Sequence, residues 1–207
     1  MENLYLKIQN RMDSKESACF LARSCLTDLI CESEVMEALK ELRLSTEMPE
    51  LARFICKKAR ILFAILIWAE KEDEIELFYR NNFTDSLLPI KVNFNSGEKY
   101  ALESLAPNGT YSRAVNETFS SWKLRSINHF CEVQWLFLVP VFREEQFQYR
   151  FDKNSRLPFL NIKSVNDGNF SVVCEAYIHK DHLQVRKESK LVRVDLLLSR
   201  AHHASCV

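Results

Sequence analysis

Glycine is scarce: the 207 residues contain three, far below the usual share of roughly 7%. Glycine supplies tight turns and lets backbone approach phosphate closely. So few argue against a doubly wound nucleotide-binding enzyme, which needs several such loops. Net charge is also missing. Lys plus Arg and Asp plus Glu are both 28, a formal balance of zero. That removes the chain-wide basic footprint of a nucleic-acid binder and the charged, hydrophobe-poor composition of a disordered chain. The longest apolar run, Ile61-Leu62-Phe63-Ala64-Ile65-Leu66-Ile67-Trp68-Ala69, is short of the about 20 residues that span a bilayer. The start, Met1-Glu2-Asn3-Leu4-Tyr5-Leu6-Lys7, has no basic region followed by an apolar run, so no signal peptide is read there. The expectation is a cytoplasmic protein with no membrane and no nucleic-acid partner. Cys19, Cys25, Cys31, Cys56, Cys131, Cys174 and Cys206 form no CxxC pair. They read as reduced thiols, without zinc spacing. Asn108-Gly109-Thr110 and Asn116-Glu117-Thr118 then read as chance matches to the glycosylation pattern.

Large apolar side chains are plentiful, with 14 Phe, 6 Tyr and 3 Trp. Residues 14–44 carry Phe20, Leu21, Leu26, Leu29, Ile30, Val35, Leu39 and Leu42 at broadly helical spacing. Ser33 is a candidate N-cap dividing them into two helices. Pro49 suits a first helical turn. The stretch 49–71, free of internal Pro and Gly, predicts one central helix, and 73–80 a short one ending at Asn81-Asn82. Residues 91–118, with turn signals at Asn95-Ser96-Gly97 and Pro107-Asn108-Gly109, read as a variable surface insertion with one short strand. A further helix ends near 130–135. Phe147, Tyr149 and Phe151 alternate as in a strand, as do Val172, Cys174 and Ala176, and Leu191 to Leu198 is a last strand-like run.

These patterns give an α+β chain: a mainly helical N-terminal domain over 1–145, a small antiparallel β fragment over 146–200, and a tail, 201–207. Three strands without a covering helix leave exposed edges, so self-association is expected there.

Candidate chemistry is sparse. His179 and His182 read as loop or surface histidines. His202-His203 has no fixed third ligand, so no metal site is assigned. Ser171 and Cys174 have no matching His–Asp pair, so no catalytic residue is assigned. Lys57, Lys58 and Arg60 read as a solvated flank, and Glu70-Lys71-Glu72-Asp73-Glu74 as a solvated helix end. The strongest local signal is Val165-Asn166-Asp167-Gly168-Asn169-Phe170-Ser171-Val172-Val173. A strand, a turn with one glycine and an aromatic tip, and a second strand follow the layout of a protein-kinase nucleotide loop. A β-hairpin without a ligand fits the same residues.

Three blocks resemble the region of filamentous-fungal protein-kinase-like proteins in which a helical segment precedes the kinase fold. The first joins Ala59-Arg60-Ile61-Leu62-Phe63-Ala64-Ile65-Leu66 to Phe83-Thr84-Asp85-Ser86-Leu87-Leu88-Pro89-Ile90. The second is Phe130-Cys131-Glu132-Val133-Gln134-Trp135-Leu136-Phe137-Leu138-Val139-Pro140-Val141-Phe142. The third is Leu157-Pro158-Phe159, then Gly168-Asn169-Phe170-Ser171-Val172-Val173 and Ile178-His179-Lys180-Asp181-His182. The resemblance covers about 50–185 and implies that residues 146–200 resemble the first strands of a kinase small lobe. It implies Gly168, Phe170, Ser171 and Val173 as the nucleotide loop and its following strand, with Ser171 in the third glycine place. The phosphate-gripping lysine has two candidate positions. Val192-Arg193-Val194-Asp195 puts Asp195 there, and Val185-Arg186-Lys187 supplies Lys187. The chain has no His-Arg-Asp or Asp-Phe-Gly string, which phosphoryl transfer by a kinase requires. The reading is a truncated kinase relative that is not an enzyme: a non-catalytic accessory or interaction segment with a protein partner and no cofactor. Two alternatives stay open, an orphan ATP-binding module and a remnant without independent function.

Overall fold

A computed structural model describes residues 2–12, 20–94, 100–106, 112–143, 145–146, 149, 151–167, 171–184 and 193–199. The chain divides into two compact units, Met1–Asn10 with Leu26–Leu138, and Arg11–Cys25 with Val139–Val207. The first is mainly helical and the second mainly strands, so the class is α+β.

Helix α1 (Glu2–Arg11) buries Leu4 and Ile8, one turn apart on one face. The 14–44 pattern yields two helices, α2 (Arg23–Leu29) and α3 (Glu32–Leu39). The break falls at Ile30-Cys31, and Cys31, not Ser33, takes the extended N-cap conformation. Ser33 instead sits inside the helix, its hydroxyl 3.2 Å from the Cys31 thiol.

The expected single helix over 49–71 is two: α4 (Met48–Lys58), with Pro49 in its first turn, and α5 (Arg60–Trp68). Ala59 (φ −138°, ψ 33°) interrupts them without a proline or glycine. The cause is remote. The carboxylate of Asp85 accepts the amide hydrogens of Ile61 (3.0 Å) and Leu62 (2.8 Å), serving as a cap for the new helix start. Helix α5 is apolar nearly all round, and Leu62 to Ile67 are all buried, as befits a central helix.

Two left-handed residues among those described show how the chain manages with little glycine. Helix α5 ends with Lys71 N–H on Leu66 O (2.8 Å) and Glu70 N–H on Ile67 O (3.2 Å). Helix α6 (Ile75–Arg80) ends alike, with Phe83 N–H on Phe78 O and Asn82 N–H on Tyr79 O. Both are Schellman closures, whose left-handed position glycine usually fills. Here Glu70 (φ 53°) and Asn82 (φ 48°) fill it. Asparagine tolerates that region and glutamate does so poorly.

The described residues of 91–118 hold two strands and a helix, where one short strand is expected. Strands β1 (Ile90–Asn93) and β2 (Ala101–Ser104) pair antiparallel, Ile90 opposite Ser104. Helix α7 (Ser112–Thr118) follows, and Leu102, Val115, Thr118 and Phe119 are buried. The Asn116 amide takes both backbone groups of Leu102 (N–H 2.8 Å, C=O 3.1 Å). Helix α8 (Leu124–Val133) completes the unit. Phe78, Phe83, Phe119, Trp122 and Phe130 form one aromatic cluster, mostly edge-to-face at 5.0–6.0 Å. That geometry matches the ring quadrupoles.

In the second unit, β4 (Phe159–Asp167), β5 (Ser171–Ile178) and β7 (Arg193–Ser199) form an antiparallel sheet ordered β4-β5-β7. Strand β4 shifts register twice against β5. Strands β3 (Phe142–Arg143) and β6 (Leu183–Gln184) pair in parallel. Tyr149 and Phe151 lie outside any strand, contrary to their alternation. Their rings stack at 5.8 Å and pack on Phe142, which with Phe159, Ala176 and Ile178 makes a small core.

Candidate functional site

The expected nucleotide loop lies between β4 and β5. Gly168 and Phe170 fall outside the described residues, as does Lys187. Ser171 opens β5 opposite Ser199, and Val173 is paired between Asn166 of β4 and Leu197 of β7. Asp195, in the lysine place, stands opposite Glu175. The last strand-like run is thus the third strand of the meander, while Lys187 is not brought into view. His202-His203 also lies outside the described residues.

The turn after β5 is where polar groups converge. His179 to His182 form a short 3₁₀ turn, and the His179 ring Nδ1 accepts the Asp181 amide hydrogen at 3.3 Å. His182, read from the sequence as a loop or surface histidine, lies in this turn but is only 2% exposed. Its Nε2 accepts the backbone N–H of Arg23 (3.3 Å), so its proton resides on Nδ1, 3.1 Å from the Pro140 carbonyl. The Ser24 hydroxyl donates to Asp181. Burial raises the Asp181 carboxyl, but the Ser24 hydroxyl and the neighbouring His179 outweigh it and hold the group below its usual range. The Ser24 hydroxyl is thereby tied to the turn through the Asp181 carboxylate.

The same economy runs through all three blocks. Asp85 ties together the two halves of the first. Gln134, in the second and fully buried, accepts the Ile90 amide hydrogen (2.8 Å) and donates to the Ile90 carbonyl (2.7 Å) and to Cys131 O (2.9 Å). His182, in the third, reaches Pro140 in the second. Each of these polar side chains satisfies backbone groups that secondary structure leaves open. One faint sequence signal existed for Gln134, a neutral polar residue inside an apolar run. None existed for Asp85 or His182, because their partners lie 23 and 42 residues away.

A surface cleft of about 650 Å³ lies along α8, lined by Ala69, Leu124, Arg125, Asn128, His129 and Glu132 among others. Its charges are mixed, unlike the convergent polar set of a ligand pocket. Among the described residues, no group of three or more His, Cys, Asp or Glu could hold a metal ion. No helix of the described residues is long and apolar enough to cross a membrane. Cys25, Cys31, Cys56 and Cys131 are free thiols. Compared with known proteins, the chain matches no protein-family model, no curated protein and no solved structure.

Proposed function

We propose that the chain is a non-catalytic accessory or interaction segment of a fungal protein-kinase-like protein, with residues 146–200 as the first strands of a kinase small lobe. The observation that carries this reading is the use of the three blocks. Asp85, Gln134 and His182, polar residues buried or capping within them, bond to backbone groups. The blocks are thus explained as an architectural set. The antiparallel order β4-β5-β7 supports the small-lobe part, because a nucleotide loop needs two paired strands joined by a short turn, with the lysine on a neighbouring strand. Asp195 in that strand, and no catalytic or metal-binding string anywhere in the 207 residues, support the non-catalytic part. The expected partner is a protein.

Calorimetric titration of the folded full chain with magnesium–ATP tests this reading. The expected result is no saturable heat. Saturable binding at about micromolar affinity, or about −8 kcal/mol, would overturn it in favour of an orphan ATP-binding module. Loss of that heat in Gly168→Val and Lys187→Met variants would then localise the nucleotide.

A further inference from the structure

We propose that His182 is an acid-released latch that holds residues Phe20–Ser24 against the turn His179–His182. This inference does not depend on the kinase-like reading. Both elements belong to the same compact unit. Residues 20–22 have no regular structure of their own, yet Phe20 and Ala22 are buried, in a small cluster with Cys25 and Val139. Three contacts anchor this segment to the turn. The Phe20 ring meets His179 and His182 edge-on, at 5.8 and 5.6 Å. The Ser24 hydroxyl donates to Asp181. The Arg23 backbone N–H donates to His182 Nε2.

The last contact has a strict chemical requirement. An imidazole nitrogen accepts only while unprotonated. With Nδ1–H facing the Pro140 carbonyl, the lone pair on Nε2 is the only acceptor the ring offers. Protonation turns Nε2 into a donor aimed at another donor, in a site almost closed to water. The anchor is lost and an unsatisfied buried N–H takes its place. No other single proton in this turn breaks a bond to residues 20–24 without leaving a compensating one, since Asp181 would still accept from Ser24 through its second oxygen.

The charges around the ring set the window. Burial pushes the His182 imidazolium below its usual 6.5, opposed by the Pro140 carbonyl. His179 on its own turn and Arg23 on α2 add to the lowering, and Asp181 opposes it. Because the folded value lies below the unfolded one, the latch is fully engaged above 6.5 and is lost as pH falls beneath it.

Amide hydrogen exchange on the full chain, corrected for the intrinsic chemical rate, tests the latch. Protection of the Arg23 amide and its neighbours should fall several-fold, one proton allowing at most about tenfold, between about pH 7.5 and about pH 5.5, while the amides of α5 keep theirs. In His182→Gln, whose side chain accepts without titrating, protection should be the same at both pH values. In His179→Gln the fall should persist. Equal protection at both pH values in the natural chain would overturn the latch. So would a fall that survives in His182→Gln, or one shared by α5, which would mean general acid unfolding.

Discussion

Asp85 receives two amide hydrogens at the start of α5, so removing its carboxylate leaves those donors without a partner. Asp85→Ala should lower stability by about 1–2 kcal/mol, and Asp85→Asn, which keeps one acceptor, by less. Urea denaturation of the three proteins checks the order. The pH dependence has a definite sign. Burial raises the Asp85 carboxyl to about 6, against the lowering by the Leu62, Ile61 and Arg60 amides. Folded chain therefore takes up this proton before unfolded chain does. Between about 6 and the ordinary carboxylate value near 3.9, Asp85 adds stability as pH falls, and above that window the penalty for its charge is complete. Asp85→Asn should abolish this contribution, visible as a larger difference between its denaturation midpoint and that of the natural chain at acid pH than at neutral pH. Glu70 offers the opposite manipulation. It holds φ 53° in the closure of α5, where a side chain costs roughly 1–2 kcal/mol relative to glycine. Glu70→Gly should raise the melting temperature, a gain of about 1 kcal/mol after the unfolded state's extra freedom is counted. A lower melting temperature would mean that the Glu70 side chain makes a compensating contact.

Among the elements, α5 carries the core of the first unit. Leu66 is fully buried in it, and Leu66→Ala should cost about 2–5 kcal/mol, read from chemical denaturation. A loss within about 0.5 kcal/mol would place α5 at the surface. This helix was legible in the sequence because nine consecutive apolar residues leave no polar face. Its start was not. Nothing near Ala59 breaks a helix, and the group that does so arrives from Asp85, 24 residues on from the Ile61 amide it captures. Position α6 was legible for a local reason, the Asn82 that closes it, whereas Glu70 in the same geometrical role has no propensity to announce it. The β1–β2 hairpin was obscured by the opposite effect. The polar residues between its strands dominate the local composition, while Leu102, Val115 and Phe119, which anchor it and α7, are spaced too widely to read as one face. Tyr149 and Phe151 mislead because alternation by two serves a stacked aromatic pair as well as a strand. At the candidate site, β5 followed from alternation, β7 from the Leu191–Leu198 run and β4 from the strand-turn-strand layout around Gly168, but the burial of His182 did not follow, since it depends on Phe20 and Pro140 from distant parts of the chain.

For the whole molecule, the decisive quantity is the charge balance. With 28 basic and 28 acidic side chains, the isoelectric point falls near 7.0, so copies of the chain have almost no mutual repulsion at neutral pH. Proteins held apart by net charge lose that protection at this point. The sheet adds an attractive element: β4 and β7 are its outer strands among those described, and an outer strand offers unpaired backbone groups to a second chain. Charge and edge act in the same direction, so association should be strongest near pH 7 and should recede on either side. Sedimentation at a fixed protein concentration should show the largest assemblies near about pH 7, and mostly monomer by about pH 8.5, where the net charge is negative. Low salt should widen the contrast, because long-range repulsion is screened within about 10 Å at 0.1 M. Assemblies of equal size at both pH values would mean that the association, where present, is driven by packing indifferent to charge. Monomer at every pH would mean that the outer edges of β4 and β7 are already protected, and the expectation of self-association through them would fall.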